Sequence, residues 1–380
     1  MRDFALETYF STWEFTARYH LTASDAESVT VAELLELAGQ PADALGELHL
    51  GYTQTWGAPD LREAIAGTYD TLGAENILCF AGAEEGVYAA MRVLLDKDDH
   101  AIVVVPNYQA AETVPLDICE VTGVPLDEHD GWRLDPDAVR RAVRPNTRLV
   151  SVCFPNNPTG AVPSHADFAA LIEVCREHGL YLFSDEVYRG LELDASKRIA
   201  QAADAYERGL SLNVMSKAYG LPGLRIGWIA SQNKDVLQRL ERYKHYLSIC
   251  NSAPSERLAV IALGVRDALQ ARIHERMRNN LTALDAFFER HRALFDWSHP
   301  DGGCIAYPAY LGAEGVETFC QQLVEETGVL LLPGSIYRSD LLPTPASRFR
   351  IGFGRAGMDE GLSAFEAYLE KHRPQVAAAS

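Results

Sequence analysis

At 380 residues the chain is too long for one compact core of ordinary size, because domains run to roughly 100–200 residues, so two or three units with a large buried interior are expected. Lys and Arg number 34 against 53 Asp and Glu, and a net charge of −19 sets the surface against nucleic acid and anionic membrane as partners. Seven cysteines, Cys79, Cys119, Cys153, Cys175, Cys250, Cys304 and Cys320, lie scattered without a Cys-x-x-Cys pair. They suggest neither a zinc knuckle nor a disulfide framework, and a reducing, cytoplasmic setting fits.

The start, Met1-Arg2-Asp3-Phe4, carries an acid at once and no apolar run, so neither a signal peptide nor a membrane anchor is expected there. Residues 1–45 read as an N-terminal arm that joins a small domain. Residues 46–254 read as a large domain. Within it, short apolar runs rich in β-branched residues at 76–81, 101–105, 149–154, 180–184, 210–215 and 226–230 read as buried parallel strands. Helical spacing occupies 84–95, 136–143, 165–178 and 235–246. Such alternation predicts an α/β fold with a doubly wound, mostly parallel central sheet covered on both faces. From 255 to 380 the texture changes to that of a smaller α+β domain. A helix-like stretch over 255–291 is followed by short strands near 303–308, 329–333 and 348–353 and by a closing helix. Residues 376–380 read as a frayed tail.

In open α/β sheets ligands bind beyond the carboxyl ends of the strands. Five of the predicted strands are followed there by polar or unusual residues: Gly82-Ala83-Glu84, Pro106-Asn107-Tyr108, Pro155-Asn156-Asn157-Pro158, Asp185-Glu186-Val187-Tyr188 and Ser216-Lys217. A lysine at the end of a buried strand loses hydration when charged, which lowers its pKa and frees its amine as a nucleophile toward a carbonyl. Arg225, eight residues on and past a Gly-Leu-Pro-Gly turn, can fold back and bind a phosphate with two N–H groups. Backbone N–H groups at the helix start near Gly82, Ala83 and Glu84 make a second anion-binding element. Asp185 needs a cationic partner, and a protonated pyridine nitrogen serves while keeping the ring an electron sink. Tyr188 and Asn157 can reach a phenolic oxygen on that ring, and Tyr108 can stack on its face. Taken singly, each has an ordinary reading: Asp185 as a helix N-cap, Asn157 within a rigid Pro-Asn-Asn-Pro turn. Together they describe a phosphate, a pyridine and a nucleophilic lysine at one sheet edge.

These segments, together with Tyr52…Gly57-x-x-x-Leu61-Arg62, Ser216-Lys217…Gly223-Leu224-Arg225-Ile226-Gly227-Trp228 and Arg348-Phe349-Arg350-Ile351, resemble the class I/II aminotransferases of pyridoxal 5'-phosphate (PLP) fold type I. The resemblance covers nearly the whole length, from Tyr52 to about Gly354. It implies PLP as cofactor, an α-amino acid as substrate and a homodimer. It further implies that Lys217 forms the Schiff base, that Asp185 pairs the pyridine nitrogen and that Asn157 and Tyr188 bond the phenolic oxygen. Tyr108 would stack on the ring. Gly82, Ala83, Glu84, Ser216 and Arg225 would form the phosphate site, with Tyr52 reaching across from the partner subunit, while Arg350 would grip the substrate carboxylate beside Asn157.

Two departures stand out. Val214 occupies the place, three residues before the lysine, where the family has a phosphate-binding Ser or Thr; Asn213 or a water is expected to substitute. The element Trp13-Glu14-Phe15 resembles the PLP-dependent arginine oxidases, and Ser24-Asp25-Ala26-Glu27-Ser28 with the Lys217–Arg225 stretch is similar to the capreomycidine synthase and enduracididine cyclase families, which act on arginine or hydroxyarginine. Glu14, Asp25 and Glu27 offer carboxylates for a guanidinium fork. They read equally as solvated charges, with Ser24 or Asp25 capping a helix that begins near Val29. An aminotransferase is expected, with an arginine-directed PLP cyclase, dehydratase or oxidase as the alternative. A PLP-sensing DNA-binding regulator would need a basic face and a DNA-binding domain, which the sequence lacks.

Overall fold

In the computed structural model, which describes residues 1–376, the apolar runs pair into one seven-stranded sheet. Its strands are β1 (Ile77–Phe80), β2 (His100–Val105), β3 (Glu120–Pro125), β4 (Thr147–Cys153), β5 (Tyr181–Asp185), β6 (Gly209–Val214) and β7 (Gly227–Ala230), in the spatial order β1-β7-β6-β5-β4-β2-β3. β1, β2, β6 and β7 are buried at every residue, as strands covered on both faces must be. Two features differ from the sequence-based expectation. The run at 226–230 forms β7, which is antiparallel to both of its neighbours. The link from β6 contains only a 3₁₀ turn, Pro222–Leu224, and no crossover helix to bring the chain back in parallel. β3 is an edge strand whose mixed burial, with Gly123 and Pro125 inside it, hides it from a search for apolar runs.

Helix α1 (Ala5–Trp13) precedes the sheet, and α2 (Ala83–Leu94) follows β1. Helices Pro136–Ala142, His165–His178 and Lys234–Lys244 lie within two residues of the segments read from spacing. The stretch expected as one long helix is two, Ala253–Gly264 and Arg266–Arg290, because Val265 leaves helical geometry after Gly264. The helix expected near Val29 spans Val31–Leu37, and neither Ser24 nor Asp25 caps it. Thr30 does so in a reciprocal box with Glu33. Residues 377–380 of the expected tail lie outside the described residues.

Beyond the sheet, Ile305–Ala306, Phe349–Gly352 and Leu332–Pro333 form a small antiparallel sheet. Tyr19–His20 pairs in parallel with Val329–Leu330, so the start of the chain is sewn to its C-terminal part. The other end of this N-terminal segment is tied to the large sheet's side. Met1 amine meets Asp117 at 2.9 Å, Arg2 meets the buried Glu112 at 3.0 Å, and the Ala5 N–H donates to Gln109 Oε1 at 2.9 Å. α1 therefore spans the cleft between sheet and C-terminal part. Two apolar clusters run through both, one joining Leu78, Leu212 and Trp228 to Phe287, Phe319 and Phe365, the other joining Ile102 and Val150 to Tyr307 and Leu332. No helix among the described residues is long and apolar enough to cross a membrane.

The antiparallel return of β7 brings Gly227 against the turn that follows β1. A Cβ at Gly227 would lie 2.7 Å from Gly82 C and 2.8 Å from Ala83 N, both backbone atoms that cannot swing aside. Gly227→Ala is expected to force the 82–83 turn outward at a cost of about 1–3 kcal/mol. Thermal denaturation should show a melting temperature several degrees below native; an unchanged value would contradict this packing.

Candidate active site

The carboxyl ends of β1, β2, β4, β5 and β6 face a cavity of about 610 Å³. At its floor Gly82 takes a left-handed φ of 95° and starts α2, leaving the first-turn N–H groups of Ala83 and Glu84 without intrahelical partners. Glycine is required there by that φ, and a Cβ would also push aside the Arg225 guanidinium. Arg225 itself sits at φ 52° after the Pro222–Leu224 turn, and its Nη1 lies 3.5 Å from Ser216 Oγ. Helix start, hydroxyl and guanidinium thus converge as an anion site. Burial, aided by Glu7 and Asp185, pushes the Glu84 carboxyl up to about 7, so it adds little negative charge beside that site. Val214 lines the cavity where a hydroxyl was expected. Asn213 does not replace it: its Oδ1 accepts from the Val214 N–H at 2.9 Å and it stands off the cavity wall.

Asp185 ends β5 with one oxygen accepting from the Val187 N–H at 3.2 Å. Burial drives its carboxyl up to about 6, opposed by that N–H and by Lys217. A cation placed beside it would relieve this cost. Tyr108 and Val187 supply ring and apolar surface on the cavity walls; the Tyr108 ring packs 5.2 Å from Phe4. Asn157 Oδ1 accepts from Tyr337 OH at 2.9 Å and lies 3.4 Å from Arg350 Nη1, so its NH2 group remains for a ligand. Lys217 is half-buried at the cavity, and desolvation lowers its pKa; Asp25, Cys304 and Asp185 oppose the shift and Arg350 adds to it. Its Nζ lies 2.9 Å from Ser24 Oγ, and Tyr188 OH donates to Ser24 O at 3.0 Å. An anion cradle, an uncompensated acid at ring depth, apolar flanks and a desolvated amine together fit PLP.

A fixed cation lies behind the wall at Asn157. Arg350 is fully buried, with Nε and Nη2 donating to Thr22 O at 3.1 and 2.7 Å and Nη1 to Tyr337 OH at 2.6 Å. Over the mouth lies α1; its Glu7 and Phe10 and the C-cap residue Glu14 share one helical face and line the cavity. Burial and Glu7 raise the Glu14 pKa, as does Asp25, while Arg355 and Lys217 lower it. Asp25 also lines the cavity, but Arg355 already holds it through two hydrogen bonds of 2.9 and 2.8 Å. Glu27 lies outside, accepting from the Ala356 N–H at 2.7 Å. Tyr52 is 94 % exposed and away from the cavity. Residues that sequence reasoning did not single out are Glu7, Phe10, His20, Arg355 and Tyr337. The 7-10-14 spacing was a readable signal for the first two. Both ring nitrogens of His20 are enclosed without a partner among the described residues, and burial with Arg355 and Arg350 lowers its pKa to about 4, which keeps it neutral.

The family model for aminotransferase class I and II matches residues 22–364. Capreomycidine synthase of Streptomyces vinaceus is 29% identical over 378 residues, 98% of this chain and 94% of that enzyme. Among solved structures, a PLP-dependent aminotransferase from Streptococcus suis 89-1591 matches with a TM-score of 0.91 and 29% identity over 97% of this chain and 98% of that one. The PLP-dependent cyclase OrfR matches with a TM-score of 0.89 and 26% identity over 98% of each chain. Because the matched stretch contains every strand end that lines the cavity, and Arg350 as well, this chain belongs to the class I and II aminotransferase family and is a PLP-dependent enzyme.

Proposed function

We propose that this enzyme is an aminotransferase for an α-amino acid with a cationic, guanidinium-type side chain. The observation that carries this reading is the charge layout around the cavity: a buried arginine directly behind the lining residue Asn157, and the acidic face of α1 over the mouth. Arg350, held from behind by Thr22 O and Tyr337 OH, is preset to bind the α-carboxylate with its fork. Glu14, raised in pKa by burial and by Glu7, gains from a guanidinium brought beside it. Asp25 acts through Arg355, and Glu27 has no part in the cavity.

PLP, when bound, supplies a carbonyl carbon for amine exchange and a pyridinium ring that withdraws electrons from the substrate's Cα. The protein's own groups do the rest. The N–H groups of Ala83 and Glu84, Ser216 Oγ and Arg225 hold the phosphate, and Asp185 keeps the proton on the pyridine nitrogen. Tyr108 and Val187 would flank the ring and the Asn157 NH2 would serve the phenolic oxygen, whereas Tyr188 OH donates to Ser24 O and would have to leave it to join them. Lys217, with its lowered pKa, accepts the Cα proton. Helix α1 shields the charged contacts from water, which strengthens them.

A second reading, elimination followed by ring closure through a guanidinium nitrogen, is favoured by the near full-length likeness to capreomycidine synthase and OrfR. The same residues serve both reactions up to loss of the Cα proton. A homodimer is also proposed. Leu50 and Tyr52 (94 % exposed) stand near Tyr246 (89 % exposed) and Ile249 because Thr53 Oγ1 donates to Asn251 O and Lys244 Nζ to Thr55 O and Asn251 Oδ1. Such a patch of large apolar side chains suits a second copy, with Tyr52 crossing to the partner's phosphate site.

The role of Asp185 predicts a pH signature. Its pKa is 3.8 unfolded and about 6 folded, so between these values the folded state binds more protons than the unfolded one. Stability of the cofactor-free protein then falls as pH rises through that window, and the deficit is fully present above it, at no more than about 3 kcal/mol. Cofactor-free Asp185→Asn should melt higher than cofactor-free native protein at pH 8, and the two should agree below pH 4. Added PLP should reverse the order at pH 8, since Asn offers no counter-charge. An equal effect at both pH values, indifferent to PLP, would overturn the assignment.

Substrate choice is read from specificity constants for arginine, hydroxyarginine, glutamine, leucine and phenylalanine. The native enzyme should prefer the guanidinium compounds, and Glu14→Gln should cut that preference roughly tenfold or more, since a hydrogen bond to a charged group contributes about 1.5–3 kcal/mol. A 2-oxo acid product identifies transamination, and a cyclic guanidino acid identifies the second reading. Preference for an apolar amino acid, untouched by Glu14→Gln, would rule out the cationic subsite.

A further inference from the structure

We propose that Ser24 is a positioning residue for proton transfer by Lys217, its hydroxyl holding the lysine amine while its carbonyl holds the Tyr188 hydroxyl. The inference rests on the reading of Lys217 as the group that accepts the Cα proton. The Nζ–Oγ distance is 2.9 Å and the Tyr188 OH–Ser24 O distance is 3.0 Å, so one residue of the N-terminal segment touches two groups at the centre of the cavity. Among the described residues Lys217 Nζ makes a hydrogen bond to Ser24 alone. The charged and titratable groups around that amine include Asp25, Cys304, Arg350, Asp185, Glu14 and Cys153, and they act on it through space.

Ser24 is itself held firmly. The strand Phe349–Gly352 and the residues after it grip the chain on both sides: Gly352 N–H donates to Leu21 O at 2.8 Å, Arg350 donates to Thr22 O, and Glu27 N–H donates to Gly354 O at 2.9 Å. Asp25, the next residue, is clamped by Arg355. The hydroxyl is therefore delivered to Lys217 by backbone contacts and not by a mobile side chain. A hydroxyl can accept from an ammonium and donate to a neutral amine, so it can follow Lys217 through both protonation states.

In the step itself the Cα–H bond breaks, the proton passes to Nζ, and the electron pair stays with the substrate carbon. The new ammonium is desolvated. Ser24 Oγ accepts one of its N–H bonds, which stabilises the charge and fixes the direction of the others. No proton leaves Ser24. Removing the hydroxyl makes the ammonium less favourable, lowers the lysine pKa further and slows proton removal, without touching the Arg350 carboxylate site.

The test compares native, Ser24→Ala and Ser24→Thr proteins loaded with pyridoxamine phosphate, in which the lysine amine is free. Labelling of Lys217 by trinitrobenzenesulfonate, followed against pH by mass spectrometry, should show a midpoint lowered by roughly half to one pH unit in Ser24→Ala, as loss of a hydrogen bond to the charged form requires. With the PLP-loaded forms of the same proteins and substrate in D2O, Cα-proton exchange should slow by roughly tenfold while KM stays near native, and Ser24→Thr should restore both. Should Ser24→Ala lose its cofactor, Ser24→Cys, close in size and a weaker acceptor, allows the same comparison. An unchanged midpoint with unchanged exchange would overturn the proposal, as would a raised KM at native kcat, which marks a packing role. Failure of the native protein to bind PLP would instead overturn the reading of the site.

Discussion

A lysine amine buried at the end of an apolar strand is unfavourable when charged, and the whole cavity is arranged around that constraint. Desolvation lowers the pKa of Lys217, and the nearby carboxylates of Asp25 and Asp185 restore only part of the charged form. The amine is therefore available at moderate pH both to join a carbonyl and to take a proton. The sheet makes such a placement affordable because its central strands are buried and the parallel ones end together, so polar groups gather at that edge. The antiparallel β7 closes that edge. It carries the chain back past Gly82 and leaves Arg225 against the start of α2.

Within the site acids and bases are interleaved. A chain of net charge −19 concentrates Lys217, Arg225, Arg350 and Arg355 around one cavity, where they suit a phosphate and a carboxylate. The acids that remain there are handled individually. Asp25 is neutralised by Arg355, Glu84 is raised to about 7, and Asp185 is raised to about 6. Among the described residues Glu14 lies beside Glu7 without a direct cationic partner, which gives it much to gain from a cationic ligand. The N-terminal segment links these features, since α1 covers the mouth, Ser24 meets Lys217 and Thr22 orients Arg350.

Much of the site was legible because the strand ends are local features: a buried run followed at once by Gly82, Tyr108, Asn157, Asp185 or Lys217 can be read without knowing the partners. Strand direction was not, because an apolar run such as Gly227–Ala230 has the same composition whichever way it points. β3 escaped because an edge strand need not be apolar throughout. The contacts that orient the catalytic groups were illegible for a different reason. Ser24 meets Lys217 across 193 positions, Tyr337 meets Asn157 across 180, and Arg355 meets Asp25 across 330, so no window of sequence contains both partners. Asp25 illustrates the consequence. Its carboxylate looks free for a substrate in the sequence, whereas the fold assigns it to an arginine of the protein itself.

The most direct test is to reduce the purified, PLP-loaded protein with borohydride, digest it and map the modified peptide by mass spectrometry. The account predicts one pyridoxyl group, on Lys217, and none in a Lys217→Ala protein that still folds. Modification spread over surface lysines, or full turnover by Lys217→Ala, would contradict it.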